Sequence, residues 1–347
     1  MGRSAFRSHR PRWLFFAALV LLAGCGGAEP LRLEGRTMGT GWHLTLPAGS
    51  PEPQALRAAV EQELEAINDS MSTWREDSEI SRWNRLPAGE AMVVSAPFAT
   101  VLEAALAIGR RSGGAYDVTV GPLVTLWGFG AGEARERVPP PAALAAARER
   151  VGQGRLRWRP RERRLGKAGS VELDLSSIAK GFAVDRVAAL LAARGHRDYL
   201  VEIGGEMRVA GQSPRGDAWQ VAIERPGAGP RAVARGLSLG DAAVATSGDY
   251  RNFFTVDGRR YSHMIDPRSG EPVTHDVVSV TVIHERCLLA DGWATALAVL
   301  GRTEALRLAD ERGLAVYLLA REGDRLVEYS SPAFAPYLGA GEATEEV

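Results

Sequence analysis

The sequence predicts an α+β fold with a largely antiparallel sheet, and three observations carry that prediction. Helical patterns cluster and strand patterns cluster, without the regular βαβ alternation of a doubly wound sheet. The strand patterns are short. The 347 residues are 45% hydrophobic and 24% charged, a globular composition, with no internal repeat and no low-complexity tract.

The elements follow in order. Four Arg and no acid lie in residues 3–12, and eleven uncharged, mostly apolar residues follow, Trp13 to Ala23. That run falls well short of the ~20 residues that span a bilayer. A basic segment, a short apolar run and small residues before Cys25 describe an export signal ending in a lipobox. Residues 1–24 are therefore expected to be removed, Cys25 to be acylated, and residues 25–33 to be a tether. The protein is expected outside the cytoplasmic membrane, anchored to it. Leu31 to Leu46 alternates as a strand or hairpin interrupted by glycine. Pro53 opens a helix, with Leu56, Val60, Leu64, Ile67 and Met71 on one face. A second helix follows Pro97, with Phe98, Val101, Leu102, Ala105 and Ile108 aligned, and Gly113-Gly114 stops it. Residues 129–141 read as a surface loop. Val184, Val187 and Leu191 mark a third helix after Lys180, ending at Gly195. Strands are expected at 199–203, 219–223, 243–246 and 277–283, then helices at 290–300 and 303–312. A last strand at 314–320 pairs with 324–329.

Charge narrows the function. Lys+Arg and Asp+Glu both number 42, so no basic field points to nucleic acid. Lys occurs at only two of the basic positions, 167 and 180, as in a chain biased towards Arg. Two Cys, at 25 and 287, exclude a disulfide framework and a Cys-based zinc site. Cys287 reads as a small buried hydrophobe.

Five stretches are dense in functional side chains. Thr37-Met38-Gly39-Thr40-Gly41 is a glycine-kinked strand or a close approach to a ligand. Met71 to Trp74 and Ser78 to Asn84 place two Trp among hydroxyls, in the core or stacked on a flat ring. Gly114 to Leu123 sets Tyr116 beside Asp117, and Leu126 to Gly130 follows. Leu173 to Gly181 reads as a strand entering a helix, with Asp174, Ser176, Ser177 and Lys180 at the junction. Free amides and a Lys there attract phosphate, and Ser176 or Ser177 is suited to cap. The fifth joins Thr246 to Asn252, Tyr261 to Pro267 and Ala290 to Ala296. On a helix Asp291 and Thr295 share a face, a carboxylate and hydroxyl suited to Mg²⁺ or to a satisfied helix surface.

In this order and spacing the stretches resemble the ApbE family of flavin transferases. The most specific strings are LDLSSIAKGFAVD (Leu173 to Asp185), EIGGE (Glu202 to Glu206), TSGDYRN, YSHMIDP and ADGWATAL. The resemblance implies a single catalytic domain over residues 34–340, with helices flanking the sheet. It implies an FAD:protein FMN transferase that moves FMN from FAD to a Thr hydroxyl of an acceptor protein and releases AMP. Carried over by residue, Met38, Trp74, Tyr116, Asp117, Val118, Asp174, Lys180 and Ile265 contact FAD. Ser177, Asp291 and Thr295 face Mg²⁺. Trp74 stands where Tyr is common, Ser177 where Thr is found, and Ala294 where some relatives have an acid. The acceptor implied is a flavoprotein subunit of a membrane redox complex. His263 is the candidate base for the acceptor hydroxyl, since the ordinary imidazole pKa lies near neutrality, or alternatively a residue orienting FAD. Two other functions fit the same residues: a Mg²⁺-dependent FAD hydrolase, and a non-catalytic flavin carrier or assembly factor.

Overall fold

A computed structural model describes residues 29–130, 136–226, 232–249 and 252–338. Cys25, with the expected export signal, lies outside the described residues, as do Tyr250 and Arg251. Among the described residues no helix is long and apolar enough to cross a membrane.

The chain begins with a hairpin, β1 (Leu31–Thr37) and β2 (Thr40–Leu46). Met38 and Gly39 turn it at φ 49° and 75°, the doubly positive pair that matches strand twist. Next come α1 (Pro53–Met71), α2 (Glu79–Asn84), the short β3 (Ala91–Val93) and α3 (Ala96–Arg111). The apolar stripes foreseen on the two long helices are their buried faces. The hydroxyls of Ser78 and Ser95 cap α2 and α3. Then follow α4 (Gly121–Leu126), α5 (Pro141–Arg148), β4 (Leu156–Arg159) and β5 (Arg164–Lys167). The stretch expected to be a loop thus ends at α5, which opens on the last of three prolines.

The central segment runs α6 (Ser176–Ala193), β6 (Tyr199–Ile203), β7 (Glu206–Ala210), β8 (Trp219–Glu224), β9 (Val233–Leu239) and β10 (Ala242–Gly248). It continues through β11 (Phe253–Val256), β12 (Arg259–Ser262), β13 (Val277–His284), α7 (Cys287–Leu300), α8 (Arg302–Arg312), β14 (Ala315–Glu322) and β15 (Arg325–Ser330).

Eight strands make one sheet in the order β1-β2-β6-β7-β10-β13-β14-β15, and every neighbouring pair is antiparallel. Its central strands are buried on both faces. Ala243, Val280, Val282, Val316 and Leu318 face the main core with α1, α3, α6 and α7. Val244, Ile283, Tyr317 and Leu319 point the other way, to Trp219 and Ile223 of β8, Leu237 of β9 and Phe334. Period-two alternation therefore builds a layer on each side of one sheet.

Helix α6 starts at Ser176, before Lys180, α7 starts at Cys287 rather than 290, and one expected strand is absent. The α7 start at Cys287 is fixed from outside: the Asp185 carboxylate of α6 accepts from the amides of Cys287 and Leu288, both at 3.0 Å. Cys287 is fully buried, which pushes its thiol pKa up and leaves it unreactive. Leu173 to Leu175 joins no sheet. Instead the Asn84 side-chain amide brackets Leu173, donating to its carbonyl (2.9 Å) and accepting from its N–H (2.8 Å). The Asp174 N–H then donates to the Val118 carbonyl (2.7 Å).

Candidate active site

A cavity of about 610 Å³ opens between the start of α6, the first turns of α7, the start of β7 and the β8–β9 ribbon. His263, Trp74, Tyr116, Asp117, Asp174, Ser177, Lys180, Ile265, Asp291 and Thr295 all line it. Met38 and Val118 do not. Met38 sits in the β1–β2 turn against the main core, and Val118 is buried in that core.

The α6 end is built by Asp174, whose carboxylate accepts from the Ser176 amide at 2.8 Å. Neither Ser176 nor Ser177 is the N-cap residue. That position is Leu175, with no side-chain bond to the helix. The Ser177 hydroxyl is 3.0 Å from the Tyr116 hydroxyl. Burial pushes the Tyr116 phenol well above its ordinary pKa, so it stays protonated and can donate. Asp117 is occupied: its oxygens accept from the Thr119 amide and hydroxyl and from the Gln153 amide, at 2.6 to 2.9 Å. Its carboxylate braces the loop that presents Tyr116.

The charged floor comes from three elements. Lys180 of α6 lies 2.6 Å from Glu206 of β7 and 3.9 Å from Asp291 of α7. Burial works against the Lys180 ammonium, but Asp291 and Glu206 outweigh it and hold its pKa up. Burial also raises Asp291, against Lys180 and the Gly181 amide, and lifts Glu206 to about 7, against Lys180. The Gly181 N–H donates to Asp291 Oδ2 at 2.9 Å. This bond needs the close crossing of α6 and α7, since a Cβ on Gly181 would lie 2.3 Å from the Cys287 carbonyl oxygen. One turn along α7, the Thr295 hydroxyl is 3.1 Å from that of Ser247 on β10. Ala294 is buried in the main core.

Opposite this floor, His263 follows the β11–β12 hairpin. Phe254 and Tyr261 of that hairpin stack with Phe129 and Trp127 from the segment after α4, with ring centroids 5.3 to 5.5 Å apart. His263 Nδ1 lies 3.0 Å from the Asn252 carbonyl, which can only accept. The proton is therefore on Nδ1 and the lone pair on Nε2. Burial depresses the imidazole pKa, which favours the neutral form. Trp74 stands at the rim, 73% exposed, with a ring face available for stacking.

Among the described residues no group of three or more His, Cys, Asp or Glu could hold a metal. The hard-oxygen donors lining the cavity are Asp291, Thr295 and Ser177, with Glu206 held against Lys180 beside them. That set fits Mg²⁺ held by few protein ligands and completed by water and phosphate oxygens.

A model of the ApbE family matches residues 38–318. The chain belongs to the ApbE family. It is 42% identical over 331 residues to the FAD:protein FMN transferase of Vibrio cholerae, covering 94% of this chain and 98% of that one. The solved flavin transferase ApbE from Vibrio cholerae superposes with a TM-score of 0.83 at 41% identity, covering 90% of this chain and 100% of that one. The apo flavinyl transferase ApbE of Pseudomonas stutzeri gives 0.82 at 41%, covering 90% and 98%. Each of the family strings contributes residues to the cavity wall, among them Lys180, Glu206, Ser247, His263 and Asp291, while apolar residues of the same strings pack in the main core. Glu206 and Ser247 belong to those strings, yet sequence gave neither a role. For Glu206 a signal existed: an acid directly after Gly204-Gly205, at φ 64° and 105°, has its side chain delivered by a turn rather than by strand alternation.

Proposed function

We infer that this ApbE-family protein transfers FMN from FAD to a Thr hydroxyl of an acceptor protein, with release of AMP. The observation that carries the reading is that a single cavity collects a half-buried ammonium paired with carboxylates, hard-oxygen donors and a neutral imidazole, in a chain so similar to FAD:protein FMN transferases. The acceptor oxygen bonds to the phosphorus of the FMN half. The bond from that phosphorus to the bridging oxygen breaks, and the bridging oxygen leaves with AMP. His263 Nε2 takes the hydroxyl proton, because Nδ1–H is committed to Asn252. Lys180 sets a fixed positive charge at the diphosphate, and the Tyr116 and Ser177 hydroxyls supply donors beside it. Mg²⁺ bound at Asp291, Thr295 and Ser177 would supply further charge neutralisation on the diphosphate. Trp74 offers its exposed face to a flavin or adenine ring.

Cys25 carries the lipid in this reading, so residues 25–33 tether the enzyme to the outer side of the cytoplasmic membrane. Its acceptor is then a flavoprotein subunit of a membrane redox complex. The test incubates the protein with FAD, Mg²⁺ and a Thr-containing acceptor domain, and follows in-gel flavin fluorescence and AMP. A fluorescent acceptor band with equimolar AMP is the expected result. FMN and AMP without a labelled acceptor would mean hydrolysis, and no turnover of FAD would mean a carrier.

A further inference from the structure

Lys180 is not shared evenly between its two carboxylates. Its ammonium is 2.6 Å from Glu206 and 3.9 Å from Asp291 Oδ1, a charge-assisted hydrogen bond on one side and a gap on the other. The backbone maintains this asymmetry. Gly204, at φ 64°, closes the turn into β7, and a Cβ there would lie 3.4 Å from Lys180 Cδ, so the lysine stem runs along the turn towards Glu206. Asp291 meanwhile accepts from the Gly181 amide at Oδ2, and Oδ1 lies on the Lys180 side. Both carboxylates are almost fully buried, with side chains 4% and 3% exposed, so neither is held by solvent. Sequence supplies an independent observation. A chain that uses Lys at only two of 42 basic positions uses one here. A guanidinium forks and binds two carboxylates at once, whereas an ammonium can be held by one.

We propose that Glu206 is a positioning residue that tethers the Lys180 ammonium and so keeps it off Asp291 Oδ1, leaving that oxygen to a divalent cation. The inference rests on the reading above that Asp291 is a metal ligand. Without Glu206, Lys180 closes onto Asp291 and competes with the cation for the same oxygen. The ammonium then blocks the metal instead of standing beside it.

The test is a double-mutant cycle read by Mn²⁺ binding, from the loss of the free-ion EPR signal, with no turnover required. Glu206→Gln keeps the shape and is expected to weaken Mn²⁺ by about 10- to 100-fold, the usual effect of losing a residue that orients a ligand. Lys180→Met is expected to change affinity little in the wild type and to restore most of the loss in the Glu206→Gln protein. An equal effect of Lys180→Met in both backgrounds reduces Glu206 to a distant charge and overturns the proposal. Lys180→Arg leaves Glu206 intact and serves if Glu206→Gln does not fold, since its fork should reach Asp291 and weaken Mn²⁺. Wild-type affinity in that variant also overturns the proposal. Mn²⁺ binding that survives Asp291→Asn, or that is absent from the wild type, instead removes the metal reading itself.

Discussion

The two lysines, one buried and one half-buried, occupy sites with opposite character. Lys167, at the end of β5, donates to the carbonyls of Asn84 (2.8 Å) and Val171 (3.4 Å) and lies 4.9 Å over the Trp83 ring. Burial lowers its pKa, because neutral carbonyls compensate a buried charge poorly, although Glu172 pulls the other way. Lys180 is only partly buried, its side chain 28% exposed, and two carboxylates outweigh its desolvation and raise its pKa. Lys167 therefore clamps the end of α2 to the segment before α6, while Lys180 holds a permanent charge at a cavity wall. Burial alone does not make an ammonium functional. Carboxylates behind it and open space in front do.

Substitutions around the two sites test that contrast. The largest effect is expected across the cavity from Lys180. His263→Gln should lower single-turnover FMN transfer roughly 10²- to 10⁴-fold, with FAD affinity nearly unchanged. If transfer recovers at saturating FAD, His263 orients FAD and is no base. Lys180→Met should cost roughly 10²- to 10³-fold in transfer, the usual loss on removing one preorganised electrostatic group. A loss below threefold at saturating FAD would make Lys180 as structural as Lys167.

Acidification should act through His263 as well. Its working form is neutral, and its folded pKa lies below the ordinary value of about 6.5. Transfer should thus stay flat through neutrality and fall only at pH below that value, on a limb that His263→Gln lacks. A wild-type limb centred above pH ~7 contradicts the assignment. Lys167→Met should give the converse result. Leaving two buried carbonyls without their donor should cost about 1–3 kcal/mol of stability in a denaturant melt, with transfer per folded molecule unchanged. A fall in kcat without a fall in stability would erase the distinction between the two lysines. The smallest effect is expected at Cys25. Cys25→Ala should release the protein from membranes in detergent-free buffer while the purified protein keeps its rate, and persistent membrane fractionation would point to another anchor.

Much of the fold was legible because its signals are local. Leu56 to Met71, Phe98 to Ile108 and the strands at 199–203 and 277–283 each carry a complete periodicity. Missing from the expectations are elements whose determinants lie elsewhere in the chain. The Asp185 carboxylate that starts α7 is 102 residues from Cys287, and the Asn84 amide that replaces a strand partner is 89 residues from Leu173. Strands β3, β4 and β5 are only three or four residues long, and Arg interrupts β4, so their pattern is weak. The β11–β12 hairpin is different, since Asp257-Gly258, at φ 51° and 75°, is a local turn signal in plain sight. In the site, residue types and strings led to Lys180, Asp291, Thr295 and His263. For Glu206 the sequence offers only the Gly204-Gly205 turn before it, and the specific relation to Lys180 shows only in the unequal distances from that lysine to its two carboxylates.

The Gly181 amide that fixes Asp291 also shapes how this protein can drift over generations. A main-chain N–H is common to every residue except proline, so the hydrogen bond itself cannot be lost by ordinary exchange of side chains. The space around it is less forgiving. One added methyl would meet the Cys287 carbonyl at 2.3 Å and Asp291 Cβ at 2.7 Å, which two packed helices cannot yield without moving the carboxylate. Neutral variation elsewhere on α6 and α7 is therefore confined to changes that preserve the distance between the two backbones. A lineage that lost this glycine would have to relocate the acidic group before it could recover the activity.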